Sequence, residues 1–391
     1  MKAKVLLLFS VALIPMVLSA QNDKWFQKGL ETKNPKKQIE YFTKSINKTG
    51  ASAVAYNSRG FAKSNLQDYQ GAIADYTNAI KIDPKNAVAY ANRGNAKYNL
   101  RDYQGSIADC SKAIEIDPKF ALAYYNCGNA KKILNDYQGA IVDYTKAIEI
   151  DPKNSGAYYN RGIAKFNLND YHNAVADFNK AIKINPKYAD IYINRGIAKY
   201  LLKDYKGAIA DYTKAIKIDP KLEDAYGCRG IAKYYLKDYE GAIADFSKAI
   251  ERNQKNAVAH YNRGCYFVLV LKYDQAIVDF NKTISLKSDY SLAYAKLGYV
   301  YMQQGKTKMA IENLNQCLEI DEKTLSANLN LAIVYYQQDN LQESKKYLEI
   351  TKSIEPRLSK GIDGIKELEK EGYFWTDKDR ESLKKMFVEL K

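Results

Sequence analysis

The feature that most constrains this chain is a repeat of 34 residues that runs through most of its length without a shift in period. Written in rows of 34, the sequence places glycine in one column through eight successive rows, and Ala332 continues the column. The column holds Gly60, Gly94, Gly128, Gly162, Gly196, Gly230, Gly264 and Gly298. A fixed period of this length is typical of stacked structural units, not of one compact core.

Further columns predict that each repeat is a helical hairpin. With Ala53 counted as position 1, position 20 is small, position 24 is mostly aromatic, and the apolar residues follow helical spacing. Proline at position 32 ends a helix because it cannot continue the backbone hydrogen-bond ladder. Aspartate at position 16 is suited to cap the helix that follows. The prolines are Pro84, Pro118, Pro152, Pro186, Pro220 and Pro356, and the aspartates are Asp68, Asp102, Asp136, Asp170, Asp204 and Asp238.

These columns resemble the tetratricopeptide repeat family, in the variant that reads Tyr-x-x-Arg-Gly-x-Ala-Lys, Asp-Tyr, Ala-Ile-x-Asp-Tyr-x-Lys-Ala-Ile and Asp-Pro. Residues 53–358 give nine repeats, and residues 21–52 resemble a further repeat with a trimmed hairpin turn. The resemblance implies an all-α fold, a right-handed superhelical solenoid of helix-turn-helix repeats. Its concave groove would be lined mainly by the first helix of each pair.

The resemblance also implies which side chains face a partner, because positions 2, 5, 9, 12 and 13 line the groove in similar proteins, with position 6 nearby. The residues predicted to bind are Tyr98, Tyr125, Asn126, Tyr159, Asn160, Ile163, Phe166, Asn194, Ile197, Tyr200, Ile231, Tyr234, Tyr261 and Asn262. Tyrosine gives a large contact area at low entropic cost, and asparagine can bond an extended backbone, which favours a peptide or a helix as partner. The alternative is that many of these tyrosines pack between adjacent repeats.

Two columns depart together from the family pattern. Position 7, which is usually apolar, is arginine, and position 23 is aspartate in the same repeats, while the last two repeats lack both. The arginines are Arg59, Arg93, Arg161, Arg195, Arg229 and Arg263, and the aspartates are Asp75, Asp109, Asp177, Asp211, Asp245 and Asp279. Because a buried charge is tolerated only with its partner present, this joint loss predicts an arginine–aspartate bond within each repeat or to a neighbour. The repeat with Cys127 and Asp143 is an exception.

The first twenty residues have the layout of a secretory signal. Lys2 and Lys4 precede a short apolar run over residues 5–17, which predicts cleavage between Ala20 and Gln21. We therefore expect an exported protein, periplasmic or secreted. No later apolar segment has spanning length, so no integral membrane segment is expected after cleavage.

The C-terminal stretch, residues 359–391, is predicted to form a helical cap. A stack of hairpins leaves its last apolar face exposed, and a terminal helix with an aromatic plug at Tyr373, Phe374 and Trp375 would cover it. Thr376 followed three residues later by Asp379 predicts the start of that helix.

The composition argues against catalysis and for binding. There are two histidines, and the five cysteines have no paired, zinc-type spacing, so we expect no active site, metal or cofactor. The formal charge of +15 permits an alternative function, in which a basic surface binds anionic envelope polymers or lipids. Nucleic acid is not an expected partner, because RNA-reading helical repeats have a period different from the 34 residues found here. The leading hypothesis is a non-enzymatic protein–protein interaction scaffold of the cell envelope or exterior, with a protein or peptide partner.

Overall fold

The structure is a computed structural model that describes residues 23–49, 52–370 and 376–390. In these ranges the regular structure is helical, and no strand occurs in them. The predicted signal sequence, with its cleavage site at Ala20 and Gln21, and the predicted aromatic plug lie outside the described residues. The all-α prediction is therefore confirmed for the part of the chain that the structure covers.

The chain divides into two compact units, residues 1–202 and 203–391. The helices of the first unit are α1 (Lys24–Glu31), α2 (Pro35–Thr49), α3 (Ala53–Asn65), α4 (Tyr69–Ile82), α5 (Ala87–Asn99), α6 (Tyr103–Ile116), α7 (Ala121–Ile133), α8 (Tyr137–Ile150), α9 (Ser155–Asn167), α10 (Tyr171–Ile184) and α11 (Ala189–Leu201). The helices of the second unit are α12 (Tyr205–Ile218), α13 (Glu223–Tyr235), α14 (Tyr239–Arg252), α15 (Ala257–Leu269), α16 (Tyr273–Leu286), α17 (Ser291–Gln303), α18 (Thr307–Ile320), α19 (Leu325–Gln337), α20 (Leu341–Ile354), α21 (Ile362–Lys370) and α22 (Asp377–Glu389). A 3₁₀-helix, Pro356–Lys360, lies between α20 and α21.

The predicted caps and stops set the bounds of the second helix in each hairpin. The carboxylate of Asp68 accepts a hydrogen bond from the Gly71 backbone N–H at 2.9 Å, which satisfies an otherwise free donor at the start of α4. The equivalent aspartates up to Asp238 make the same kind of cap. In α16 and α18 a lysine replaces the aspartate, and its side chain makes no cap. The position-16 prediction is thus confirmed wherever the aspartate is present.

The turn inside each hairpin requires a left-handed backbone at position 15. Non-glycine residues adopt positive φ there, among them Gln67 at 65° and Leu271 at 58°, while Gly305 has a φ of 72°. A side chain with a Cβ is strained in this conformation and glycine is not. The repeats with a non-glycine residue at position 15 therefore carry a small local strain, and the repeat with Gly305 avoids it.

Small residues let the two helices of a hairpin approach closely, as the glycine column predicts. A Cβ added to Gly128 would lie 2.7 Å from the Tyr144 ring, so α7 and α8 leave room only for glycine at this point. Tyr144 is fully buried in the space beside it. Such close contacts give interior packing density to a hairpin that has little volume of its own.

Neighbouring hairpins stack within each unit. Where both helices of a hairpin lie in one unit, the first packs against the second, and the first helix also packs against the second helix of the preceding repeat. First helices of successive repeats also contact one another, α5 with α7 and α9 with α11 in the first unit, and α15 with α17 in the second. The first helices of a unit therefore share one face, and this shared surface is called here the first-helix face.

The ends of the array are closed by helices outside the nine repeats. At the N-terminus α1 and α2 form a helix pair in which Phe26 and Phe42 are buried with ring centroids 5.4 Å apart. At the C-terminus α22 packs against α19, and its buried Leu383 and Met386 join the core of the last repeats. These additions cover apolar surface that a bare stack would expose.

The start of α22 is the capping box that the sequence predicts. The Thr376 hydroxyl accepts from the Asp379 backbone N–H at 3.2 Å, and the Asp379 carboxylate accepts from the Thr376 backbone N–H at 2.9 Å. The same carboxylate is buried and accepts from the Tyr299 hydroxyl at 3.1 Å and from Gln303 Nε2 at 2.9 Å. Asp379 therefore both begins the terminal helix and fixes it to α17.

Candidate partner-binding face

The predicted arginine–aspartate bond lies inside the repeat and holds three helices together. Arg161 on α9 donates from Nε to Asp177 Oδ2 at 2.9 Å and from Nη2 to Oδ1 at 2.6 Å, with Asp177 on α10. Its third nitrogen, Nη1, donates to the Thr145 hydroxyl on α8 of the preceding repeat at 3.0 Å. Asp177 is buried, so this two-point bond neutralises a charge that has left water. The prediction is confirmed for this repeat.

The same bond recurs in the other repeats that carry both residues within one unit. The pairs are Arg59 with Asp75, Arg93 with Asp109, Arg229 with Asp245 and Arg263 with Asp279. In each of them Nη1 reaches a threonine or serine hydroxyl of the preceding repeat. These arginines thus join the two helices of their own hairpin and link that hairpin to the preceding repeat.

Sequence reasoning missed two further members of this cluster. Lys165 lies with its Nζ 2.7 Å from Asp177 Oδ2, and the lysine four residues after the arginine does the same in three other repeats. The guanidinium of Arg161 also lies 5.6 Å from the ring of Tyr158, close enough for a cation–π contact. The spacing of four residues was the available signal, since it places lysine and arginine on one helix face.

The repeat that lacks the arginine keeps its aspartate and pairs it with a lysine. Asp143 has Lys131 Nζ at 2.7 Å, and Cys127 stands where the arginine would be. Burial raises the pKa of the Asp143 carboxyl, against the opposing effect of Lys131. In this repeat the aspartate stays buried without the arginine, and the lysine is its ion-pair partner.

Among the predicted binding residues, the position-5 tyrosines and position-6 asparagines bond each other between repeats. Asn160 Nδ2 donates to the Tyr125 hydroxyl at 3.1 Å, and Asn194 Nδ2 donates to the Tyr159 hydroxyl at 3.0 Å. Asn160 is buried, as is Asn126. Burial raises the pKa of Tyr159 to about 12. These tyrosines and asparagines therefore contact one another between adjacent repeats, whereas the alternative that the sequence left open concerned the tyrosines alone.

The predicted residues at positions 9 and 12 of the first unit stand on the first-helix face. They are half-buried there, and they are Tyr98, Ile163, Phe166, Ile197 and Tyr200. Tyr98 packs on Tyr103 with ring centroids 5.4 Å apart, and Phe166 packs on Tyr171 at 5.3 Å. The rings of Tyr98 and Phe166 are therefore each held by a neighbouring ring and leave part of their surface to solvent.

The second unit has a similar but smaller group on its own first-helix face. Ile231 and Tyr234 are half-buried on α13, and Tyr261 and Asn262 are half-buried on α15. The Tyr234 ring stacks on that of Tyr266 with centroids 5.4 Å apart. The predicted set is thus present in both units, and its members lie on the first helices.

A half-buried lysine interrupts the aromatic column of the first unit. Lys132 holds position 12 on α7, and its Nζ donates to Asn160 Oδ1 at 2.8 Å. Burial lowers its pKa, and no carboxylate of the described residues offsets this effect. A desolvated ammonium with only an amide oxygen as partner is poorly compensated, so this point of the face attracts negative charge.

One histidine of the described residues is buried beside a carboxylate. His260 is buried, and its Nδ1 lies 3.0 Å from Asp279 Oδ1, in the place where other repeats have tyrosine. In the described part of the chain no cluster of three histidine, cysteine or acidic residues could hold a metal ion. Over the same residues, none of the helices combines the length and apolar character needed to cross a membrane.

Sequence models of one repeat family match much of the chain. A tetratricopeptide repeat model matches residues 87–120, 155–188 and 189–222, and a second matches residues 224–256. A TPR repeat model matches the three stretches 64–100, 128–169 and 298–339. Together these stretches cover more than half of the chain. A comparison with curated proteins found no match.

Solved structures of repeat proteins resemble this one. The C-terminal part of a TPR repeat-containing protein from Cytophaga hutchinsonii is 20% identical, with a TM-score of 0.52, over 61% of this chain and 98% of that one. YrrB, described as a TPR protein with an unusual peptide-binding site, is 23% identical with a TM-score of 0.44 over 47% of this chain and 95% of that one. A tetratricopeptide repeat protein from Parabacteroides merdae is 19% identical with a TM-score of 0.45, over 63% and 98% of the two chains. The first of these likenesses shows the fold.

Proposed function

Because the chain belongs to the tetratricopeptide repeat family, we propose that it is an interaction scaffold that holds a peptide or helix of a protein partner on its first-helix face. The observation that carries this proposal is the group of half-buried side chains at positions 9 and 12 of the first unit, Tyr98, Ile163, Phe166, Ile197 and Tyr200. Their rings and side chains stand on helices that contact one another, so little conformational entropy is lost when a partner covers them. No catalytic step is part of the proposal.

The chemistry of this face favours recognition through apolar groups. Asn160 and Asn194 at position 6 already bond neighbouring tyrosines, so backbone recognition by their amides would require those bonds to break. The half-buried rings of Tyr98 and Phe166 instead offer contact area to aliphatic or aromatic side chains of a partner. Lys132 adds one positive charge to the same face, which favours a partner segment with a carboxylate beside its apolar residues.

We further propose that the protein works in the cell envelope or outside the cell. Lys2, Lys4 and the apolar run over residues 5–17 support this, together with the small residue Ala20 at the predicted cleavage site. Mass spectrometry of the protein purified from its native cells tests it, since cleavage leaves Gln21 as the first residue. A chain that retains Met1 and is found in the cytosol would contradict export.

Matched variants test the binding face. We expect Phe166→Ser combined with Tyr98→Ser to abolish capture of a protein partner from the native envelope fraction. Val142→Ser is the control, because Val142 is 55% exposed on the second helix α8 and its change removes apolar surface elsewhere. Circular dichroism and thermal unfolding establish that both variants remain folded.

The alternative function, a basic surface that binds anionic polymers or lipids, predicts a different pattern. Capture would then be equal for both variants and would disappear at high salt, because exposed charges are screened. Loss of capture with Val142→Ser and not with the aromatic pair would contradict the proposed face.

A further inference from the structure

Two departures from the repeat pattern meet in space between the repeats of residues 87–120 and 121–154. Position 24, which is aromatic in most repeats, is Cys110 on α6. Position 7 of the next repeat, which is arginine in most repeats, is Cys127 on α7. Each replacement alone would only make a smaller side chain. Their coincidence on two helices that pack against each other brings two thiols together.

The geometry at α6 shows what surrounds the Cys127 sulfur. Cys127 Sγ is 3.8 Å from the Ile107 carbonyl oxygen and 4.0 Å from the Ser111 hydroxyl. Ile107 lies three residues before Cys110 and Ser111 directly follows it, so Cys127 contacts the turn of α6 that carries Cys110. The two thiols lie close enough for each to shift the pKa of the other, and they are 0% and 1% exposed. Cys127 Sγ thus lies beside Ser111 as the guanidinium of Arg161 lies beside Thr145 in the following repeat.

We propose that Cys110 and Cys127 are a redox pair that closes a disulfide between α6 and α7. The oxidant is a disulfide of another thiol compound, such as oxidised glutathione or an oxidised dithiol protein. The Cys127 thiolate attacks one sulfur of that disulfide and releases the first thiol. Cys110 then gives up its proton and attacks the Cys127 sulfur, which releases the second thiol. Two cysteines are oxidised, and one disulfide of the donor is reduced to two thiols.

The surroundings assign the first attack to Cys127. The neighbouring Cys110 lowers the pKa of the Cys127 thiol, and Ser111 and Lys131 act in the same direction, against the opposing effects of burial and Asp143. Cys127 and burial raise the pKa of the Cys110 thiol, so the thiolate forms at Cys127 before it forms at Cys110. Burial restricts access to both sulfurs, so the exchange takes place while the repeats fold or open locally.

The disulfide would act as a covalent staple between two repeats. It would join the second helix of one hairpin to the first helix of the next and close a loop across the turn at residues 117–120. Such a link restricts the unfolded chain and resists separation of the two repeats. This inference concerns the interior of the first unit and stands whether or not the first-helix face binds a partner.

Thiol counting on the full chain tests the pair. The protein is incubated with oxidised glutathione, both in the native state and during refolding, and free thiols are then alkylated in denaturant. We expect three of the five cysteines to be alkylated. Trypsin digestion should yield the peptide of residues 102–112 joined to that of residues 120–131.

Two variants test whether the link joins the assigned pair. Cys127→Ser should leave all four remaining thiols free, and Cys317→Ser, which changes another fully buried cysteine, should retain the link. Five alkylated cysteines in the unaltered chain by both routes would overturn the proposal, as would a link that joins any other pair. A chain that is linked before oxidant is added would support it.

Discussion

Replacing Arg161 by methionine tests the contact that joins three helices in the repeats that carry both the arginine and the aspartate. The change keeps the apolar stem of the side chain and removes two hydrogen bonds to Asp177 and one to Thr145. Breaking a buried ion pair from one side costs about 3–5 kcal/mol, because the other charge stays buried. Lys165 remains 2.7 Å from Asp177, so we expect a loss at the lower end, about 3 kcal/mol.

The reciprocal change is expected to cost less. In Asp177→Asn the guanidinium loses its counter-ion, but the Arg161 side chain is 16% exposed and can turn towards water, so we expect about 2 kcal/mol. In the double variant the two losses should overlap. The coupling energy between groups in direct contact is typically about 0.5–3 kcal/mol, and a two-point bond should lie in the upper half of that range.

Urea unfolding followed by circular dichroism measures the four proteins of this cycle. Because arrays of repeats can unfold in steps, hydrogen exchange of residues 155–188 should accompany it and localise the effect. The matched control is Lys146→Met, which breaks an exposed ion pair with Glu149 and should cost less than about 1 kcal/mol. Strictly additive losses for Arg161 and Asp177, or a loss for Arg161→Met as small as the control, would refute this account of the bond.

Three further predictions follow from single positions. Asp143→Asn should stabilise the fold at neutral pH, because the raised pKa means that the ionised carboxyl is unfavourable there; the gain should shrink in urea titrations as falling pH protonates the native Asp143. Leu271→Gly should raise stability by about 1 kcal/mol by removing left-handed strain, and Gly305→Ala should lower it by about the same amount, both read from thermal unfolding. Lys132→Met should stabilise the chain to urea yet weaken partner capture, whereas a partner that prefers this variant would show that no carboxylate binds there.

The hairpins could be predicted from the sequence because their causes are local. Helix bounds follow from the aspartate caps and the proline column, and the close approach of two helices follows from glycine facing an aromatic ring. The bond between Arg161 and Asp177 was accessible as well, because both residues disappear together in the last two repeats. Each of these signals lies within one period of the repeat.

Contacts between repeats could not be predicted in the same way. The bond from Asn160 to Tyr125 and the contact of Cys127 with the turn of α6 that carries Cys110 depend on the angle at which one hairpin packs on the next, and periodicity does not set this angle. For this reason the sequence assigned Asn160 to a groove surface and treated the two cysteines as unrelated. The desolvation of Lys132 could not be predicted either, because it depends on neighbours from another repeat.

The most direct test of the proposed function is site-specific photocrosslinking in the native envelope fraction. A photoreactive side chain replaces Phe166 on the first-helix face in one protein and the exposed Val142 on α8 in another. We predict that a protein partner is crosslinked from residue 166 and not from residue 142. Crosslinking of the same partner from residue 142 alone would contradict the claim that the first helices hold it.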